Sequence, residues 1–125
     1  MSTAFDRDPY VSLRSFKRDG SGVDTPVWAA PLDGRLVVFT LRDSFKVKRI
    51  RRNPRVQVAR CSMLGAVSGP WQDGTCRLVE DAAHDARAYD ALEAKYGWQM
   101  RLGTLMRRLV GGLDKRVILE ITLDR

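Results

Sequence analysis

Residues Leu36 to Cys61 read LVVFTLRDSFKVKRIRRNPRVQVARC, and this stretch decides the fold. Its first six residues, Leu36 to Leu41, form an apolar run that suits a strand buried on both faces. Ser44 then stands where a helix N-cap is wanted, and Pro54 supplies a stop, which predicts a short helix from Phe45 to Arg52. Beyond the proline, Arg55 to Cys61 alternates polar and apolar residues as a strand does. The unit is therefore strand, short helix, strand.

The charge of this unit is as informative as its pattern. Arg42 to Arg55 holds seven of the chain's 22 Lys and Arg residues and a single acid, Asp43. The other 111 residues carry 15 bases against 14 acids, so the formal net charge of +7 is concentrated in one element. A localised field of this kind faces a polyanion, whether phosphate, polycarboxylate or nucleic acid. Arg49, Arg51 and Arg52 lie in the last helical turn, where they complement the negative helix end and need no ligand. Lys46 and Lys48 lie in the first turns, where the dipole and the free N–H groups already attract an anion. Cations there are unfavourable unless something negative fills the space. The competing reading is a solvated charged face anchored by Val47 and Ile50.

Outward from this unit the chain reads as strands and turns. Tyr10 to Lys17 alternates and runs into Arg18-Asp-Gly-Ser-Gly22, a turn; Thr25 to Ala30 is a second strand. Leu32-Asp-Gly-Arg35 is a hairpin turn that leads into Leu36 to Leu41. A fifth strand is expected from Ala66 to Glu80, broken near Gly69-Pro70 and irregular again at Asp73-Gly74. Asp81 caps a helix with the stripe Ala82, Ala86, Tyr89, Leu92 and Tyr96, ended by Gly97. A second helix follows with Trp98, Leu102, Leu105 and Leu109 on one face, ending at Gly111-Gly112. The last strand, Arg116 to Leu123, places Val117, Leu119, Ile121 and Leu123 on one side. The fold class is mainly β: a six-stranded antiparallel barrel with a short basic helix and a helical pair before the last strand, spanning residues 1–125 as one domain.

Several functions find no residues. Cys61 and Cys76 are the two cysteines, without CxxC spacing, and His84 is the one histidine. A zinc site or a Cys–His nucleophile pair has no support in that spacing, and both thiols read as reduced strand residues. His84 opens a helix in a polar stretch and reads as a surface residue. The N-terminus, MSTAFDRDPY, lacks a signal peptide's apolar core, and no apolar run is long enough to span a membrane, so a cytoplasmic protein is expected.

The order of elements, with DGRLVVFTLRDSFKVKRIRRNPRVQVA and the later W-x-D-G-T, resembles the split β-barrel flavin and deazaflavin oxidoreductases. These are relatives of pyridoxamine 5′-phosphate oxidase, and the resemblance is to the small actinobacterial branch that depends on coenzyme F420. It runs from Tyr10 to Leu123, and the strand–Ser-x-Lys–basic helix–Asn-Pro–strand unit is its most specific part. The resemblance implies a cofactor phosphate held by Ser44, Lys46 and Lys48, flanked by Thr40 and Leu41. It puts Phe45, Val47 and Arg49 in the same cofactor site. Pro26, Val27 and Trp28 would line the ring system, although a strand tryptophan is also a common core residue. It implies a homodimer with the cofactor between subunits, and hydride transfer to a small unsaturated or quinone-like substrate, with no protein side chain as acid or base. Trp28, Trp71 and the apolar third strand also point to a dimer, because one small barrel cannot cover them alone.

F420 ends in several glutamates, so the cations beyond the phosphate would have a counterpart; FMN carries one phosphate and needs fewer. An FMN enzyme, or a flavin- or haem-binding protein of the same fold, is the first alternative. A nucleic-acid-binding barrel is the second, disfavoured because Phe45 alone is interleaved with the cations. The chain stops soon after its last strand, without the further basic residues that pyridoxamine phosphate oxidase uses, so that substrate is not assigned.

Overall fold

The computed structural model describes residues 3–97 and 116–124. Seven antiparallel strands make one sheet: β1 (Val11–Phe16), β2 (Gly22–Val27), β3 (Ala29–Leu32), β4 (Arg35–Leu41), β5 (Arg55–Arg60), β6 (Gln72–Val79) and β7 (Arg116–Leu123). Their order across the sheet is β2-β1-β5-β6-β7-β4-β3. Helix α1 (Phe45–Arg52) joins β4 to β5, and α2 (Ala82–Tyr96) follows β6. The expected second helix, with Trp98, Leu102, Leu105 and Leu109, lies outside the described residues.

The seventh strand comes from the segment read as a single strand from Thr25 to Ala30. Up to Val27 it pairs with β1, and from Ala29 it pairs with β4. One residue, Trp28, thus separates the two opposite edges of the sheet. Edges joined by so short a link must meet at that corner, so the sheet curls on itself. This is the split barrel.

Its interior is filled by Val11 and Leu13 of β1, Leu36 and Val38 of β4, Val56 and Val58 of β5, and Leu119 and Ile121 of β7. Each such side chain, once buried, contributes about 1.5–3 kcal/mol. Val37 and Ile118 point outward and are covered by Ala88 and Leu92 of α2. The third strand of the sequence reading is buried on both faces over Leu36 to Val38, whereas Phe39 and Thr40 are half-buried and Leu41 is exposed. The buried stripe of α2 differs in its first half from the expected one: Tyr89, Leu92 and Tyr96 pack against the sheet, whereas Ala82 and Ala86 are exposed. Two alanines offer little area, and the helix approaches β3 and β4 with its C-terminal half.

The turns follow their sequence. Asp33 (φ 54°) and Gly34 (φ 77°) both take the left-handed conformation that a tight Asp-Gly hairpin requires. The strand expected from Ala66 to Glu80 is shorter, Gln72 to Val79, because Pro70 interrupts it; Val67 retains an isolated bridge to Cys61. Asp73-Gly74 is regular, and Gly74 serves close packing: a Cβ there would sit 2.9 Å from the Thr122 carbonyl oxygen. Both cysteines are free and buried, as expected of strand residues.

The end of α2 fastens the corner at Trp28. The Tyr96 ring stacks on Trp28 at 4.4 Å, and its hydroxyl accepts from the Ala29 N–H at 3.0 Å and lies 2.9 Å from the Pro9 carbonyl oxygen. Lys95 donates to the carbonyls of Asp8 and Ala29. Tyr96→Phe keeps the stacking and removes the hydroxyl. It should cost about 1–3 kcal/mol, because the Ala29 N–H loses its acceptor, and thermal melting should show a Tm lower by several degrees. An unchanged Tm would mean that the stacking alone holds the corner.

Candidate functional site

Helix α1 closes one end of the barrel. Ser44 caps it, its hydroxyl accepting from the Val47 N–H at 3.4 Å, and the first turn contains no acid. Val47 and Ile50 are buried. Arg49 donates from Nε to the Ser15 hydroxyl at 2.7 Å, and Arg52 donates to the Phe16 carbonyl at 2.8 Å. These two bonds hold the helix to β1, although Arg52 remains exposed and Arg49 half-buried.

At the mouth of the barrel lies a cleft of about 350 Å³. Six of the eleven residues named from sequence line it: Pro26, Val27, Trp28, Thr40, Leu41 and Lys46. The other five do not. Ser44 spends its hydroxyl on the cap, Val47 faces the interior, Arg49 reaches Ser15, Phe45 stands 73% exposed, and the Lys48 ammonium lies 5.3 Å over the Phe45 ring. Trp28 is held by Tyr96 and by the edge of Phe39 at 6.3 Å while it also borders the cleft, so its roles as packing residue and as wall coincide.

Tyr10, Thr25, Phe39 and Arg116 complete the wall. The sequence reading missed them because strand pairing puts them there. Arg116 opens β7 opposite Leu41, with its guanidinium 4.6 Å from the Phe39 ring centre and only 7% of the residue exposed. A cation directly before the apolar run Val117-Ile118-Leu119 was the available signal.

Lys46 is the electrostatic feature of the cleft. Burial pushes its ammonium below the ordinary lysine range, and the like charge of Arg49 adds to the effect. Among the described residues no carboxylate pairs with it. The N–H groups of Phe45 and Lys46, in the first helical turn, have no helical acceptor. A partly buried cation beside such donors fits an anion, phosphate above all.

His84 is not the simple surface residue expected. Its Nε2 lies 2.5 Å from Oε2 of Glu120, a carboxylate 2% exposed on β7. Arg77 donates to Oε1 at 2.9 Å, and Arg35 approaches within 3.5 Å. Burial would raise the Glu120 carboxyl, but the bonds from His84 and Arg77 outweigh it and hold the group below its usual range. This cluster ties the start of α2 to the barrel.

A curled antiparallel half-barrel with a capping helix and a cleft at its mouth defines the class of protein. The sequence model of the pyridoxamine 5′-phosphate oxidase family matches residues 1–125, and the chain belongs to that family. No curated protein matches it. Among solved structures, the conserved hypothetical protein Rv2991 from Mycobacterium tuberculosis superposes with a TM-score of 0.73 at 22% identity, over 96% of this chain and 76% of the other. The heme storage protein HutZ from Vibrio cholerae gives 0.71 at 11% identity, over 94% and 83%. An FAD-binding protein from Mesorhizobium loti gives 0.61 at 17%, over 97% and 83%. At such identities the likeness concerns the fold.

Lys46→Met separates binding from stability. The folded-state pKa of Lys46 is lowered, so the unfolded chain binds its proton more tightly. That penalty is fully present at neutral pH and fades as pH rises from the folded toward the unfolded value. The variant should therefore melt at the same temperature or higher at pH 7 without ligand. Its affinity for a phosphate-bearing cofactor should fall about tenfold or more. A destabilised variant that binds normally would remove Lys46 from the site.

Proposed function

We propose that this protein is an oxidoreductase dependent on coenzyme F420, acting on a small unsaturated or quinone-like substrate. The observation that carries the reading is Lys46: a partly buried cation without a carboxylate partner, at a cleft walled by Pro26, Val27, Trp28, Thr40 and Leu41. Lys46 and the free N–H groups of the first turn would hold the phosphate. Trp28, fixed by Tyr96, and Pro26 would flank the flat ring. When bound, the deazaflavin supplies the hydride chemistry, and the protein supplies position and electrostatics.

The choice of F420 over FMN rests on unspent charge. Arg49 and Arg52 bond to β1, but Arg42 and Arg51 border the same cavity as Arg116 and make no ion pair among the described residues. FMN binding is the second reading, favoured by the family match and by the fact that one ammonium and a helix start suffice for one phosphate.

The cleft would be completed by a second copy of the chain. Of the surfaces named from sequence, Trp28 is partly covered by Tyr96, the outer face of β4 by α2, and Trp71 by the Arg14 guanidinium, which leaves Leu41 at the end of β4 exposed. Leu41 and Phe45 are exposed beside the cleft, and Leu64 is 90% exposed next to Gly65, whose neighbour is Pro26 of the cleft wall. Exposed apolar groups around a cleft mark an interface.

Titration with oxidised F420 and with FMN, followed by fluorescence, tests the cofactor. F420 should bind more tightly, and the margin should shrink as salt screens exposed contacts over about 8–10 Å. Equal affinities, or an FMN preference insensitive to salt, would favour the second reading. Light scattering should give a dimer that Phe45→Asp with Leu64→Asp dissociates, with loss of cofactor binding; a monomer that binds cofactor would refute the shared cleft.

A further inference from the structure

Arg116 borders a second cavity as well as the first. About 370 Å³ in volume, it lies between the end of β6, the first turn of α2 and α1. Three guanidinium groups line it, from Arg42, Arg51 and Arg116, together with the carboxylates of Glu80 and Asp85. Leu78, Val79 and Val117 add apolar wall.

Charges of both signs that share a cavity usually close on each other. Here none of Arg42, Arg51, Glu80 and Asp85 forms an ion pair, although each is within the described residues. Asp85 is partly buried, and burial lifts its carboxyl above the ordinary range against the weaker opposing pull of Arg42 and His84. Charges of both signs thus line one cavity without pairing, in a space large enough for a small molecule. A group that offered acceptors to the guanidiniums and donors to the carboxylates would satisfy both sets at once. A simple anion such as inorganic phosphate would meet the arginines but also the two acids.

We propose that this cavity binds an amino-acid-like group, its carboxylate received by Arg42 and Arg51 and its N–H donor by Asp85 or Glu80. Two sources share that chemistry. One is a free amino acid. The other is the glutamyl end of a cofactor whose phosphate lies at Lys46, reaching past Arg116 from the first cavity; this source rests on the F420 reading.

Calorimetric titration distinguishes them. The probes are free L-glutamate, F420 with one glutamate, F420 with several, and FMN, each against wild type, Arg51→Gln and Asp85→Asn. If the tail occupies the cavity, the long-tailed cofactor binds wild type about fivefold more tightly than the short one, each variant narrows that gap, and FMN affinity stays constant. If the ligand is free, glutamate binds without cofactor and both variants weaken it. No response to either glutamate or tail length overturns the site, as does a response that neither substitution alters. If wild type binds no F420 at all, the cofactor reading fails and the glutamate series alone decides this cavity.

Discussion

Between Val27 and Ala29 the chain leaves one edge of the sheet and joins the other. That single step imposes the curvature on the sheet, because β2 and β3, at its opposite edges, meet end to end where Trp28 links them. A twisted sheet tends to coil, but nothing in the twist alone fixes where it closes. The corner is fixed by Tyr96 and Lys95, which satisfy the backbone of Ala29 and tie residues 5–9 to it. The cleft beside Pro26 and Trp28 exists because the sheet closes at this point.

The same economy governs the cationic helix. Its charges look alike in sequence but face different surroundings. Arg49 and Arg52 turn toward β1 and serve as fasteners, hydrogen-bonded to Ser15 and Phe16. Lys48 lies over the exposed Phe45 ring. Lys46 faces the cleft, and Arg51 faces the neighbouring cavity with Arg42 and Arg116. A ligand that spans the two cavities would pass Arg116, which borders both. On the proposed reading, the burial that costs Lys46 part of its charge stability would strengthen its attraction for an anion in the cleft.

Much of this was legible in the sequence. Ser44 and Pro54 bound α1 as their chemistry requires, Asp33-Gly34 made its hairpin, and the apolar run from Leu36 announced burial on both faces, which holds as far as Val38. What escaped was set by pairing between distant strands. The corner at Trp28 has no local mark, since Thr25 to Ala30 reads as one strand and divides only because its two halves meet different neighbours. Arg116 reaches the cleft because β7 lies against β4. His84 sits in a polar stretch, and only the fold reveals Glu120 beneath it. Arg49 bonds to the Ser15 hydroxyl, 34 residues away, a contact that helix spacing cannot show.

The central claim is that Lys46 is an anion site held in readiness by the barrel. Titration of Lys46 by NMR, with the lysine side chains carbon-labelled and resonances assigned by Lys46→Met, measures this directly. The pKa should lie below the ordinary lysine value of about 10.4 in the ligand-free protein and rise when a phosphate-bearing cofactor binds, since a nearby anion favours the ammonium. An ordinary value that does not move on addition of F420 or FMN would contradict the account.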